Sequence, residues 1–242
     1  MNRPLVPALV LAAGLVLGGL LFGVGVARVR ADDRFVSVKG VSEREVRADL
    51  AIWPLRIVAA DNDLAQASRT LRESEQRLRE FLAAQGIDST QLAVQDFAAS
   101  DAFVNQYGGG QITSRYALRQ TVVVRSTNPD QILAASQRVA ELVNAGVVLS
   151  SGNEYGGTNG PTFLFTKLNA VKPPMIQEAT ARAREAAEQF ARDSRASLGG
   201  IRRANQGVFE ILPRDQAPGI SQESQVVKTV RVVSTVEYLL KD

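Results

Sequence analysis

The chain has 242 residues, 45% hydrophobic and 22% charged, enough to bury a normal core in one or two domains. It contains no cysteine and no histidine, which excludes disulfides, thiol chemistry, Ser-His-Asp triads and the common zinc and copper ligand sets. The net charge of +3 belongs to Arg3, Arg28 and Arg30; the rest balances 25 basic against 25 acidic residues, with no basic stripe to engage nucleic acid.

Residues 4–27 form a run of 24 positions without a charge. A helix over residues 8–27 would be about 30 Å long, the thickness of a bilayer's hydrocarbon core, whereas a secretory h-region covers only about 7–15 residues. The length predicts an uncleaved signal-anchor over residues 1–31, in contact with the membrane through residues 8–27. Val29-Arg30-Ala31 leaves cleavage near Ala31 as the alternative. Arg3 precedes the run while Arg28, Arg30, Arg34 and Lys39 follow it, so charge does not orient the segment. Export of the C-terminal part is the expectation.

Past Asp32 the pattern alternates strands with helices. "FVSVKGV" (35–41) and "ADLAIWPLRIVAA" (48–60) read as strands, the second with Ala48, Leu50 and Ile52 on one face. Pro54 cannot donate to a ladder and predicts an edge or a bulge there, and Trp53, the only tryptophan, is expected as a core or interface anchor. A helix is predicted from about Asp63 to Gln85, its stripe made by Leu64, Ala67, Leu71, Leu78, Phe81 and Leu82, with Gly86 ending it. Residues 91–106 and 111–125 flank "YGGGQ" as a hairpin. Asn128 caps a second helix, with Pro129 in its first position, and Gly146 stops it. Strands over 147–155 and 161–168 flank "GGTNGP". A third helix is predicted from Pro173-Pro174 to Leu198, closed by Gly199-Gly200. Strands over 204–212 and 226–240 are separated by a loop, "PRDQAPGISQES". The order ββ-α-ββ-α-ββ-α-ββ implies an α+β fold, its sheets mainly antiparallel and packed with three helices, behind an N-terminal transmembrane or signal helix. The last strand, rich in valine and carrying few charges, is either an open edge that invites another chain or the centre of its own sheet.

"VSVKGVSEREVRADLAIWPLRIVAADNDLAQA" (36–67) resembles the opening of SIMPL domains: a V-x-V-x-G strand, a polar turn, a short strand with proline, then an acidic cap before an Ala/Leu helix. "ARAREAAEQFARDSRASLGGIRRANQGV" (181–208) is similar to that family's Ala-rich helix ending at a Leu-Gly pair, and Ala48-Asp49 matches its dipeptide entering the second strand. The likeness covers about residues 35–240, so residues 32–242 are expected as one SIMPL-like exported domain. It implies a bacterial envelope protein, anchored in the inner membrane with its C-terminal domain in the periplasm, or soluble there after cleavage. Some members resemble subunits of ring-like assemblies, which implies a homo-oligomer. The family supplies no catalytic residues to carry over.

The residues that invite a chemical reading also have structural ones. Glu43, Glu45 and Asp49 crowd into the polar connection after the first strand, where Arg44 and Arg47 interleave and screen them. Two carboxylates about 5–10 Å apart can hydrolyse a glycoside, but nothing around these builds a sugar platform. Asp61-Asn62-Asp63 lacks the mid-loop glycine and terminal acid of a calcium loop and reads as a helix cap. Gly108-Gly109-Gly110 lies between strands, not at the strand-to-helix turn a phosphate cradle needs. Lys172-Pro173-Pro174 reads as a helix start. No catalytic, cofactor-binding or metal-binding residue is assigned, and a non-catalytic protein acting by assembly is expected. A carboxylate-based enzyme or small-ligand binder is the alternative.

Overall fold

The structure, a computed structural model, describes residues 12–21, 34–104, 114–150 and 160–241. They form an α+β fold with antiparallel sheets. Residues 12–21 are helical (α1) and exposed; the rest of the segment 8–27 lies outside the described residues. Among the described residues no helix is long and apolar enough to cross a membrane.

The elements that follow are β1 (Phe35–Arg47), β2 (Leu50–Asp61), α2 (Leu64–Ala84), β3 (Leu92–Asp101), β4 (Tyr116–Ser126), α3 (Pro129–Gln137), α4 (Ala140–Asn144), β5 (Thr162–Leu164), α5 (Leu168–Asp193), β6 (Ser197–Gln206), β7 (Glu210–Pro213) and β8 (Val227–Lys241). They divide between two compact units, one of Met1–Arg44, Val171–Glu210 and Arg231–Asp242, the other of Glu45–Ala170 and Ile211–Val230. β1, α5, β7 and β8 contribute residues to both.

In the first unit β1, β8 and β6 are neighbours in that order. Leu240 N–H donates to the Arg34 carbonyl at 2.8 Å, and Arg231 reaches Glu43 at the other end, so β1 and β8 run antiparallel. Ala179, Ala183 and Ala187 of α5 are fully buried, and the last two pack with Val38, Val236 and Tyr238. The buried stripe of α5, Met175, Ala179, Ala183, Ala187 and Ala191, repeats every four residues and is nearly all alanine. That leaves room for backbone to approach: a Cβ on Gly40 would stand 1.8 Å from the Ala179 carbonyl oxygen. The glycine of the V-x-V-x-G strand is therefore required by the helix above it.

In the second unit the sheet order is β3-β4-β2-β5. β2 and β4 pair without interruption from Ala51↔Ser126 to Asp61↔Tyr116. α2 packs on β2 and β4, and the core gathers Trp53, Leu55, Ile57, Leu78, Leu82, Val122, Val124 and Ile132. Trp53 is 1% exposed and anchors this core. The inward face of β2 is Ala51, Trp53, Leu55, Ile57 and Ala59; Ile52 points the other way, so of the face expected from Ala48, Leu50 and Ile52 only the first two are buried. Pro54 falls between the short pairing with β5 at residues 50–52 and the bridge from Ile57 to Leu149, a stretch where its missing donor costs no bond on that side.

α2 and α3 begin as their caps predict. The Asp63 carboxylate accepts from Ala65 N at 2.7 Å, and the Asn128 side chain accepts from Gln131 N. Of the stripe expected on α2, Leu64 is exposed, and Ser74 is buried in addition. Gly86 and Gly146 adopt φ of +75° and +81°. Ile87 N donates to Leu82 O and Val147 N to Leu142 O, each at 3.0 Å, which closes both helices with the same C-terminal motif.

Five expectations change. The strand expected over 204–212 is two strands, β6, which begins at Ser197 inside the stretch expected as the third helix, and β7, with residues 207–209 between them outside any strand. The second helix is broken at Arg138-Val139, where the N–H groups reach back only three residues, to Ala135 and Ser136. Among the described residues the strand expected over 161–168 is only Thr162–Leu164. The third helix starts at Leu168, with Pro173 and Pro174 inside it, and ends at Asp193. The polar turn at Ser42–Arg47 is instead the end of β1. The tips around residues 107–111 and 156–159 lie outside the described residues; β3 and β4 nevertheless pair antiparallel as a hairpin would.

Candidate functional site

Each of the three crowded carboxylates has its own partner. Glu43 lies 3.3 Å from Arg231 Nε, although without hydrogen-bond alignment, and Glu45 lies 3.4 Å from Arg214 Nε. Both acids are more than half exposed. Asp49 accepts from Thr166 N at 2.8 Å and from Thr166 Oγ1 at 2.9 Å, fastening the start of β2 to the segment after β5. Glu43 and Glu45 flank the point, between Arg44 and Glu45, where β1 passes from one unit to the other. The polar stretch in the sequence is this passage. Ser42, buried on the same strand, donates to Glu178 of α5 at 2.7 Å, and Arg182 donates to the Val41 carbonyl at 2.9 Å. These contacts fasten β1 to α5.

Asp61, Asn62 and Asp63 also divide their work. Asp61 accepts from Asp63 N, Asn62 from Arg115 N, and Asp63 from the helix start. Their oxygens serve four separate backbone donors, two of them at the helix start. Among the described residues no group of three or more acidic side chains could hold a metal ion. Gly108-Gly109-Gly110 lies outside the described residues. Pro173 and Pro174 are in a helix and so offer no extended proline ligand.

One buried and one half-buried polar group are not singled out by the local sequence pattern. Lys228 is 1% exposed, and its ammonium donates to the Gln222 carbonyl. Burial pushes its pKa down, partly opposed by the negative charge of Glu223. The signal was its register: Lys228 shares the inward face of β8 with Val230, Val232, Ser234 and Val236. It ties the short 3-10 turn Gln222–Ser224 to the strand. Glu75, on α2, accepts from Arg79 Nη2 at 2.7 Å and from Gln120 Nε2 of β4 at 2.8 Å. Burial raises its pKa, but these two donors outweigh that and hold the carboxyl below its usual value of 4.5. Both groups hold elements together.

An open groove runs beside α5, lined by Gln177, Thr180, Ala181, Arg184, Ile201 and Tyr238. Arg184 is already held by Glu188 at 2.9 Å. The remaining surface of interest lies on two of the edge strands, β3 and β6. β3 is exposed along Ala93–Ala99, including Val94 and Phe97, the latter 62% exposed. β6 is exposed from Gly200 to Gln206, with Ile201 at 56%. Beside β3, Arg115 lies over the rings of Phe103 and Tyr116, at 5.3 and 4.9 Å, and pairs with Asp101.

The fold and these contacts define an α+β scaffold whose helices are fastened to antiparallel sheets by paired polar side chains. Residues 36–238 match the sequence model of the SIMPL family, described as "Protein of unknown function (DUF541)", and the chain belongs to that family. No curated protein matches the chain.

Proposed function

We propose that this is a non-catalytic protein of the cell envelope, anchored in the inner membrane by residues 8–27, whose periplasmic part acts by assembling with further copies of itself. The observation that carries the reading is an apolar-bearing edge strand that no other described strand pairs with: β3 presents Val94 and Phe97 on an edge with neither proline nor lysine to guard it. The charge-free run of residues 4–27 supports the anchor. The partners of Glu43, Glu45 and Asp49 support a scaffolding role over a catalytic one. Native mass spectrometry of the full chain, extracted gently from membranes, tests assembly. A particle of several chains is expected; a particle of one chain overturns the reading.

A further inference from the structure

Of the two readings of the last strand, the open edge fails and the central place holds, because β8 lies inside its sheet, between β1 and β6. Assembly therefore needs other edges, and two long ones carry opposite charge. β3, at the end of the order β3-β4-β2-β5, holds Asp96 and Asp101 and no base. β6, at the end of β1-β8-β6, holds Arg202 and Arg203 and no acid. We infer that the chain assembles head to tail, with β3 of one copy pairing along β6 of the next.

This inference rests on the self-assembly proposed above and names its contact. Exposed edges present unpaired N–H and C=O groups that another strand can satisfy. Sign decides which strand. β3 against a second β3 sets Asp96 and Asp101 against their own copies, and β6 against β6 does the same with two arginines; like charges on facing strands are destabilising. β3 against β6 sets acids against bases and Val94 and Phe97 near Ile201. Existing contacts leave three of these four charges available. Asp96 is exposed at a bulge with φ +53°, where the register of β3 shifts between Gln95 and Ala98. Arg202 lies over the Phe35 ring at 4.3 Å, and Arg203 stands opposite Glu237 of β8 without an ion pair. Asp101 already pairs with Arg115, so Asp96 is the principal acid. Contact between two different patches is heterologous, the kind that builds rings or filaments rather than closed two-fold dimers.

Charge reversal on the full chain tests this. Asp96→Lys puts a base on β3, where Asp101 is already neutralised by Arg115, so neither edge keeps a free acid, and Arg202→Glu with Arg203→Glu makes both acidic, so each variant alone should sediment as a single chain. Mixed in equal amounts the two become complementary at every junction, and the wild-type particle should return with both variants in it. Restoration also shows that each variant is folded, and Asp96→Asn, which suits the left-handed backbone, should weaken assembly several-fold without abolishing it. Wild-type particles that survive either reversal, or variants that stay apart when mixed, overturn the strand pairing and leave self-assembly by another surface. A wild-type chain that is itself a monomer overturns both.

Discussion

Arg195 occupies a conformation that favours glycine. Its φ is +56°, and around it Ala196 N donates to Ala191 O at 2.9 Å and Arg195 N to Arg192 O at 3.1 Å, the same closing motif that Gly86 and Gly146 provide. A side chain there costs about 1–2 kcal/mol through the contact of Cβ with the carbonyl. Arg195→Gly should therefore raise stability by about 0.5–1 kcal/mol, measured by urea unfolding, after allowing for the extra freedom glycine gives the unfolded chain. An unchanged or lower midpoint would show that the arginine is compensated elsewhere. Gly40 is the opposite case, a glycine required by space rather than by backbone angle. In Gly40→Ala the new methyl meets the Ala179 carbonyl oxygen and, at 2.5 Å, the Ala183 nitrogen, both backbone atoms that cannot step aside. Strand and helix must separate, at a cost of about 3 kcal/mol. A thermal midpoint within a degree or two of the parent would refute that packing.

At the scale of elements, the cross-links between helix and sheet carry a pH signature. Glu75 joins α2 to β4 through Gln120, and its carboxyl is held below 4.5 by its two donors despite burial. A depressed acid adds stability that is present above the unfolded value of 4.5 and is lost as pH falls through the lower folded value. Glu75→Gln should thus be less stable than the parent at pH 7, with the gap narrowing below pH 4.5; a gap that stays constant down to pH 3 would remove the linkage. Elements of this kind were legible where local chemistry alone decides them. Asp63, Asn128, Gly86 and Gly146 marked helix ends correctly because capping depends on a few adjacent residues. The third helix departs from the sequence pattern at both ends. Pro173-Pro174 resembles a first turn, yet Leu168–Val171 form helix ahead of it, and the stop is made by Arg195, a residue type that gives no signal. Gly199 and Gly200, taken for that stop, lie in β6, where Gly199 passes 2.9 Å from the Leu239 carbonyl if given a Cβ. The place of β8 within its sheet and the burial of Lys228 depend on which strands meet, and strand order is not written in any local window.

At the scale of the whole molecule the chain divides unevenly in charge. Residues 1–31 carry Arg3, Arg28 and Arg30 with no acid, and everything after them is balanced. A balanced body has no general electrostatic reason to bind an anionic membrane surface, since that attraction needs clustered basic residues. We expect any membrane attachment to come through residues 1–31, and through the charge-free run of residues 4–27 in particular, because about 20 residues suffice to span the hydrocarbon core. The two outcomes for that leader separate cleanly. If residues 8–27 stay in place, the protein remains with the membrane fraction through high-salt and alkaline washes, and its intact mass includes Met1–Ala31 or that stretch less the initiator methionine. If the chain is cut near Ala31, the mature N-terminus is Asp32, and the protein is released with the soluble fraction. The first outcome is expected from the length of the run, and an N-terminus at Asp32 in the purified protein would overturn the anchor.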